Sequence, residues 1–492
     1  MTDALSALEA MRAHDLPTHG GRTLAYVYDS GLAEADEVGR AAVAAFASTN
    51  GLDPTAFPSL LRMENELVGR TCDLLGAPAS AVGTVTSGGT ESILLAVQAA
   101  RDAFPGVTDP AMVLPTTAHA AFHKAAHYFG VRAVTVPVGE DFRADVEATA
   151  RALDELGGSA VLVVASAPSY AHGVVDPVTG LAALAHERGI RCHVDACIGG
   201  WVLPYAVRLG REIPPWTFEV EGVTSISVDL HKYAYTPKGA SVLLHRDAEL
   251  RRPQFFASAA WPGYTMLNST TQSTKSGGPL AAAWAVVTTI GDEGYLRLTE
   301  EVLGGVDRLL AGLSEVPALH VVADPDSTLV ALSTDGTCDV FTIADEMATS
   351  GWYVQPQHSF AGQPPTLHLT LSAATAAHVE EFLTALSSAV SSAVASGPVE
   401  VAPDLEAFVR ALDPETLTEE DFAGLLDAVG MGSEASGTGL PERMAEINAL
   451  LDLASPALRE ALLVAFLDRL SRPVRASVPP GNLAQGDRPR SS

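Results

Sequence analysis

The chain has 492 residues, of which 47% are hydrophobic, and its 59 acidic against 30 basic side chains give a formal net charge of −29. This length is sufficient for more than one domain and a large buried core. The acidic balance argues against nucleic acid and anionic membranes as partners, because neither attracts a strongly acidic protein.

The cysteine content and the N-terminal residues predict the location of the protein. The cysteines indicate a reducing compartment. The four cysteines are few for this length, lie in apolar segments and lack zinc-binding spacing, so we predict neither a disulfide framework nor a metal site. Residues 1–5 lack the charged-then-apolar order of a signal peptide, and no uninterrupted apolar run is long enough to span a bilayer. We therefore expect a cytoplasmic protein with no membrane span.

The first 300 residues predict an arm followed by a large α/β domain. The arm covers residues 1–60 and contains a helix around Leu32–Ser48. Residues 61–300 alternate apolar strands, such as Ala160–Ala165 and Arg191–Asp195, with amphipathic helices. This alternation predicts a mainly parallel sheet flanked by helices, with ligand-binding loops along one sheet edge.

A glycine turn opens a helix early in that domain. Thr86–Ser92 runs directly into the apolar segment Ile93–Ala100, so the turn lies at a helix N-terminus. Free N–H groups and the positive end of the helix dipole bind anions there, and Gly88, Gly89 and Thr90 would lie nearest to a phosphate. The turn matches neither a dinucleotide fingerprint nor a P-loop, which disfavours a nucleotide.

Three histidines follow in the next helical segment. His119 is a candidate to stack on the ring of a ligand, whereas His123 and His127 stand at helical spacing from it and would share its helix face. The structural alternative for each is a core histidine that only packs.

An acid and a lysine lie at the ends of apolar strands. Asp195 ends the strand Arg191–Asp195 and is followed by two glycines, which let the backbone pass close to a ligand. Lys232 follows His231 in the tight connection between two predicted strands, where it could join covalently to an aldehyde. Such a lysine needs a pKa lowered by burial or neighbouring charge, and the aldehyde of pyridoxal 5′-phosphate is its usual partner. Asp195 would keep the pyridine nitrogen of that cofactor protonated, which makes the ring an electron sink.

A smaller α+β domain is predicted over residues 301–395, where the pattern changes. Its predicted elements are a helix, a strand, a helix, a strand and a closing helix: Val302–Leu313, Thr328–Ser333, Val340–Ser350, Thr366–Ser372 and Ala376–Val394. Ser391–Pro403 is a predicted linker.

A helical accessory tail is predicted over residues 404–478, and residues 479–492 are predicted to be disordered. A Gly/Ser-rich break at Gly430–Gly439 divides the tail. Its predicted helices are Leu405–Leu412, Glu419–Val429, Pro441–Leu451 and Pro456–Leu470. The sequence does not assign this tail a role.

Together these segments resemble the fold-type I pyridoxal phosphate enzymes of the group II decarboxylase superfamily, and within it they are most similar to the sphingosine-1-phosphate lyases. The resemblance extends from about Leu24 to about Val390. Four motifs carry it: residues 83–92, 118–122, 193–197 and 229–238. It implies that Lys232 binds the cofactor aldehyde, Asp195 pairs with the pyridine nitrogen and His119 stacks on the ring. Further cofactor contacts are implied for Gly88, Gly89, Thr90 and His231.

The resemblance also implies a homodimer with shared active sites. Thr274–Gly278 is similar to the family's segment that reaches the cofactor phosphate of the neighbouring subunit, so Thr274 and Gly277 are predicted to bind the cofactor. Thr274 and Lys275 stand where serine and arginine are usual.

Two tyrosines are candidates for proton transfer. Tyr264 follows Trp261-Pro262-Gly263 in a loop-like stretch where decarboxylases carry a proton-donating tyrosine, and Tyr170 is a second candidate. A buried tyrosine is more often a large apolar group with one hydrogen bond.

The predicted substrate-binding residues depart from the lyases at one position. Asn50–Asp53 stands where the family has Asn-Pro-Leu-His, so Asp53 replaces a histidine and would repel a substrate phosphate. Lys238 matches the family's phosphate-facing lysine, and Tyr28 stands where the lyases have an N-terminal active-site tyrosine. The sequence is therefore compatible with two hypotheses, a phosphorylated substrate and a non-lipid or cationic substrate.

The resemblance implies a pyridoxal phosphate-dependent carbon–carbon lyase that acts on a small amine or amino acid. The favoured reaction is retro-aldol cleavage of a phosphorylated β-hydroxy amine to an aldehyde and an amine, and the alternative is decarboxylation of an L-amino acid. No arginine in the motifs is an obvious carboxylate clamp, which favours the first. A non-catalytic cofactor binder or scaffold is the third hypothesis, and the intact Lys232 and Asp195 argue against it.

Overall fold

A computed structural model of the protein describes residues 2–428, 443–471 and 473. Its helices are α1 Thr2–Met11, α2 Ala33–Phe46, α3 Pro58–Leu74, α4 Gly89–Asp102, α5 Ala121–Phe129, α6 Val146–Leu156, α7 Val178–Glu187, α8 Leu203–Arg208, α9 Ala248–Arg251, α10 Gly277–Leu313, α11 Val340–Thr349, α12 Ala373–Ala376, α13 Val379–Ser396, α14 Pro403–Ala411, α15 Glu419–Ala428, α16 Ala445–Leu453 and α17 Pro456–Leu470. Its strands are β1 Val82–Thr86, β2 Ala111–Pro115, β3 Arg132–Val136, β4 Ala160–Ser166, β5 Arg191–Asp195, β6 Ser225–Asp229, β7 Ser241–His245, β8 Phe256–Ser258, β9 Met266–Asn268, β10 Leu319–Val321, β11 Leu329–Thr334, β12 Gln355–Gln357 and β13 Thr366–Thr370.

A seven-stranded sheet in the order β1-β7-β6-β5-β4-β2-β3 forms the centre of the first unit, residues 1–398. Every strand pair in it is parallel except those of β7, which runs antiparallel to both β1 and β6. The strands β2, β4, β5, β6 and β7 are buried along their whole length, as expected for a sheet with helices on both faces. The predicted α/β architecture is confirmed.

A second, antiparallel sheet in the order β10-β11-β13-β12 corresponds to the predicted α+β region. The helix predicted over Val302–Leu313 is the last part of α10, a 37-residue helix that is interrupted at Gly291, where φ is 63°. The pattern change at residue 301 therefore falls inside one helix. The three-residue strands β10 and β12 were not predicted, because they are too short to show a periodicity.

The second unit, residues 399–492, contains α14 to α17 around a core of its own. That core consists of Val409, Phe422, Leu425, Leu450, Ala454, Leu458 and Leu462. The four predicted helices are present, although the third begins at Ala445 rather than Pro441. The predicted break at Gly430–Gly439 and the end at residues 479–492 lie outside the described residues.

The sheet brings polar strand ends to a common edge. Thr86, Ser166, Asp195 and Asp229 are the last residues of β1, β4, β5 and β6, which all run in the same direction. Their side chains and the loops after them therefore converge at one edge. Within the described part of the chain, no helix combines the length and apolar character needed to cross a membrane.

Candidate active site

A cavity of about 420 Å³ lies at this edge of the sheet. It brings together residues from five separate parts of the sequence. Those already predicted as site residues are Gly88, Gly89, Thr90, His119, Tyr170, Asp195, His231 and Lys232. Those that the sequence-based predictions did not assign are Ser87, Glu91, Ile93, Ser166, Pro168, Cys197, Ile198 and Asp229.

The glycine turn forms one wall of the cavity at the N-terminus of α4. The first bond within the helix runs from Ser92 N to Gly88 O at 3.0 Å, so the N–H groups of Gly89 and Thr90 precede the intrahelical ladder. A Cβ on Gly89 would lie 2.6 Å from Cys197 Sγ, so this position requires glycine. Free N–H groups at a helix N-terminus fit the phosphate of the predicted cofactor.

Glu91 fixes the turn, a role that the sequence did not reveal. The residue is only 6% exposed. One carboxylate oxygen accepts hydrogen bonds from Ser87 N at 2.7 Å and Ser87 Oγ at 2.9 Å, and the other accepts from Thr271 N at 2.9 Å and from the Thr271 hydroxyl. Glu91 therefore joins the glycine turn to the segment that precedes α10.

Asp195 and His119 stand in the cavity as predicted for ring partners. Asp195 is buried, and its Oδ1 accepts hydrogen bonds from Cys197 N at 3.1 Å and Ser227 Oγ at 3.4 Å. His119 Nδ1 accepts a hydrogen bond from Ala121 N at 3.1 Å, which fixes the ring at the start of α5. His119 lines the cavity, whereas His123 and His127 are not among its lining residues.

Lys232 forms an ion pair that the sequence-based analysis missed. Its Nζ lies 3.0 Å from Asp229 Oδ2, and Asp229 is 3% exposed. Ser241 lies opposite Asp229 on β7 and donates a hydrogen bond to Asp229 Oδ1. The only sequence signal was an acid three positions before the lysine.

The pKa of Lys232 moves opposite to the expected direction. Burial lowers it, but the Asp229 carboxylate, with smaller contributions from Tyr28 and Cys197, more than offsets burial and raises the pKa above the ordinary value for lysine. The expectation that the pKa of Lys232 is lowered in the protein without its cofactor is therefore wrong. The cause is the carboxylate at 3.0 Å, which stabilises the ammonium form.

His231 carries a buried polar atom without a partner. Its Nδ1 has no hydrogen bond, while its Nε2 lies 3.6 Å from Asp229 Oδ2. Burial lowers the pKa of His231, and the nearby Asp229 only partly opposes this effect. An orphaned imidazole nitrogen in the wall of the cavity is consistent with a site that holds a polar ligand.

Two of the predicted substrate residues lie near the lysine. Lys238 Nζ stands 5.1 Å from the centre of the Tyr28 ring, and the described residues include no carboxylate in an ion pair with it. Tyr28 packs edge-on against Tyr233 at 5.2 Å. Burial raises the pKa of Tyr28, while the Lys232 charge partly opposes the rise.

Four other predicted residues do not line the cavity: Asn50, Asp53, Thr274 and Gly277. Thr274 Oγ1 donates to Asn50 Oδ1 at 3.1 Å, and Gly277 N donates to Thr49 O at 3.0 Å. Asp53 is exposed, and its Oδ1 accepts hydrogen bonds from the Thr55 N–H and hydroxyl at 2.8 and 2.7 Å.

The two candidate proton-transfer tyrosines occupy different surroundings. Tyr170 lines the cavity, donates a hydrogen bond to Gln355 Oε1 at 2.7 Å and stacks on His368. Burial raises its pKa. Tyr264 lies between β8 and β9, is 55% exposed and does not line the cavity. Its catalytic role stays a prediction.

Comparison with known proteins identifies both parts of the chain. A family described as the pyridoxal-dependent decarboxylase conserved domain matches residues 39–334. A second, described as a pyridoxal-dependent enzyme C-terminal putative HTH domain, matches residues 403–469, which lie in and just before the predicted helical accessory tail.

Individual relatives are similar over most of the chain. A sphingosine-1-phosphate lyase of Arabidopsis thaliana is 41% identical over 72% of this chain and 65% of its own length, so the chain spans slightly less than two thirds of that relative. A probable L-tyrosine/L-aspartate decarboxylase of Methanothermobacter thermautotrophicus is 33% identical over 66% of this chain and 86% of its own length. The solved sphingosine-1-phosphate lyase of Burkholderia pseudomallei superposes with a TM-score of 0.75 at 33% identity and covers 80% of this chain and 91% of its own.

These matches agree with the geometry of the cavity. The glycine turn, His119, Asp195 and Lys232 all lie inside the region that the decarboxylase family matches. The matched region is more than half of the chain. The chain therefore belongs to the pyridoxal-dependent decarboxylase family, and its cofactor is pyridoxal 5′-phosphate.

Proposed function

We propose that the protein is a carbon–carbon lyase that cleaves a phosphorylated β-hydroxy amine by a retro-aldol reaction, releasing an aldehyde and a phosphorylated amine. The identity to sphingosine-1-phosphate lyases supports the reaction type. The observation that carries the proposal is Lys238, a cation in the same loop as Lys232 that has no carboxylate partner among the described residues.

The residues of the cavity fit the cofactor. The N–H groups of Gly88, Gly89 and Thr90 would hold its phosphate, His119 would cover one ring face and Asp195 would pair with the pyridine nitrogen. Lys232 would bind the aldehyde. When bound, the cofactor supplies an aldehyde that joins to amines and a ring that accepts electrons when a bond to the amine-bearing carbon breaks.

The protein's own groups would bind the substrate and move its protons. Lys238, beside the Tyr28 ring, would bind the substrate phosphate. Tyr170 would exchange a proton with the β-hydroxyl group, because its hydroxyl lies in the cavity wall and is oriented by Gln355. The hydrogen bonds of Asp53 to Thr55 hold its carboxylate within its own loop, which reduces its conflict with a substrate phosphate.

Decarboxylation of an L-amino acid is the second candidate, and the archaeal relative favours it. A decarboxylase should bind the substrate carboxylate, and arginine is the usual bidentate partner. No arginine is among the described residues that line the cavity. This lining favours the lyase over the decarboxylase and leaves a non-catalytic cofactor binder as the third candidate.

Product analysis separates the candidates. The cofactor-loaded protein is incubated with phosphorylated sphingoid bases and, separately, with a panel of L-amino acids that includes tyrosine and aspartate, and the products are followed by mass spectrometry. Aldehyde together with phosphoethanolamine would support the proposal. Carbon dioxide together with an amine would replace it with the decarboxylase, and no turnover of any amine would leave the non-catalytic binder.

We also propose that the protein is a homodimer in the cytoplasm. The hairpin of β8 and β9 exposes several large apolar side chains that a second subunit could cover: Phe256, Trp261, Tyr264 and Leu267. The four cysteines are free thiols, consistent with a reducing compartment. Sedimentation at working concentration should show a dimer, and Leu267→Glu should shift it toward monomer; a wild-type monomer would refute the dimer.

A further inference from the structure

The ion pair between Asp229 and Lys232 is built into the sheet. Asp229 is the last residue of β6, and Ser241 on β7 stands directly opposite and donates a hydrogen bond to its Oδ1. Its Oδ2 lies 3.0 Å from Lys232 Nζ. The carboxylate packs close to Gly89 at the start of α4, where a Cβ would lie 2.9 Å from both Asp229 oxygens.

The other acidic groups around Lys232 either accept hydrogen bonds from other residues or are neutral near pH 7. Asp195 on β5 accepts hydrogen bonds from Cys197 N and Ser227 Oγ. Tyr28 from the N-terminal segment and the Cys197 thiol both have pKa values raised by burial, so they are neutral near pH 7.

The two basic neighbours of the pair are His231 and Lys238. Burial lowers the pKa of each, and the Lys232 charge contributes to both shifts. Both groups belong to the same loop as Lys232 and are positive when protonated, so neither can stabilise the Lys232 ammonium. Asp229 is therefore the carboxylate in direct contact with the lysine nitrogen.

We propose that Asp229 is a positioning residue that keeps a proton on the Lys232 nitrogen, both when the lysine is free and when it is bonded to the cofactor. This role follows from one carboxylate fixed by Ser241 on one side and in contact with Nζ on the other. It depends on the cofactor and not on which substrate bond later breaks, so it is independent of the choice between lyase and decarboxylase.

The role has a consequence when a substrate amine takes the place of Lys232. The bond between Lys232 Nζ and the cofactor carbon breaks, and a bond from the substrate nitrogen to that carbon forms. The substrate nitrogen arrives with the three protons of an ammonium ion and keeps one once it is bonded to the cofactor, whereas Lys232 Nζ begins with one proton and leaves with three. Two protons therefore pass from the substrate nitrogen to Lys232 Nζ, the total charge is unchanged, and Asp229 stabilises the Lys232 ammonium that results.

The test is a pH titration of the visible absorbance of the cofactor-loaded protein, which reports the proton on the nitrogen that joins Lys232 to the cofactor. The wild-type protein should keep this proton up to about pH 8. In Asp229→Asn, which keeps an oxygen to accept from Ser241 but removes the charge, the midpoint should fall by at least about one pH unit. Asp229→Glu, which restores the charge, should recover most of that shift.

Asp176→Asn is the matched control, because Asp176 is a fully buried carboxylate that does not line the cavity. Its midpoint should equal that of the wild type. Asp229→Ser replaces the asparagine variant if the latter does not yield folded, cofactor-bound protein, and the same fall is expected. A wild-type midpoint below neutral pH, or a midpoint in the Asp229 variants that equals the wild-type value, would overturn the proposal.

Discussion

Replacing Gly89 by alanine tests whether the glycine turn is shaped by close packing. An added Cβ would lie 2.6 Å from Cys197 Sγ and 2.9 Å from each Asp229 carboxylate oxygen. Cys197 is 6% and Asp229 3% exposed, so neither side chain can move into solvent without opening the cavity wall. Overpacking of this kind costs about 1–3 kcal/mol. The higher helix propensity of alanine relative to glycine offsets at most about 1 kcal/mol of this loss of stability.

The expected result is therefore net destabilisation of Gly89→Ala by about 1–2 kcal/mol, together with weaker cofactor binding. Gly88→Ala is the matched control for stability, because its Cβ would meet nothing nearer than His231 Cε1 at 3.5 Å, an ordinary contact. Its φ of 166° is extended backbone that alanine also adopts. Its free energy of unfolding without cofactor should lie within about 0.5 kcal/mol of the wild type.

Urea unfolding of the cofactor-free variants measures the stability, and absorbance titration with pyridoxal 5′-phosphate measures the affinity. Adding Cys197→Ala to Gly89→Ala should recover part of the lost stability, because it removes the contact with sulfur and leaves those with Asp229. The packing argument is refuted if Gly89→Ala is as stable as the wild type, or if the Gly88 and Gly89 variants lose equal amounts.

Three further predictions concern charge. Lys238→Met should raise KM for a phosphorylated amine at least about tenfold while Lys238→Arg keeps most of the binding, as steady-state kinetics would show; equal KM values would exclude a phosphate contact. Glu91→Gln should weaken cofactor binding several-fold in absorbance titrations, since the carboxylate accepts from both Ser87 and Thr271; unchanged affinity would contradict this role. Burial lowers the pKa of His193 to about 4, so the unfolded chain binds the extra proton first and stability should fall as pH drops from about 6.5 to 4. A urea midpoint that is flat over this range would refute the pH prediction.

Much of the fold could be predicted from sequence because its signals are local. The strands over residues 160–166 and 191–195 are continuous apolar runs, and α17 coincides with its predicted range. The predicted cofactor-binding residues His119, Asp195 and Lys232 lie at or near the ends of elements that the sequence indicates, and they line one cavity.

What the sequence did not reveal depends on contacts between distant segments. Glu91 and Thr271 are 180 residues apart, and nothing in either segment indicates their hydrogen bonds. The two helical parts of α10 follow each other directly across a kink at Gly291, whereas a glycine with positive φ ordinarily ends a helix. Asp229 was part of a recognised motif, but its contact with Lys232 becomes visible only when β6 and the loop after it are placed in three dimensions.

The two lysines of one loop show how the site divides its positive charge. Lys232 is paired with Asp229, which raises its pKa despite burial. Lys238 lies beside the Tyr28 ring and forms no ion pair with a carboxylate of the described residues, and burial together with the charge of Lys232 lowers its pKa. A lysine already neutralised by a fixed carboxylate attracts an external anion weakly, whereas an unpaired one attracts it strongly. Under the proposed function, the pairing of Lys232 would direct a substrate phosphate to Lys238 and leave the Lys232 nitrogen to the cofactor.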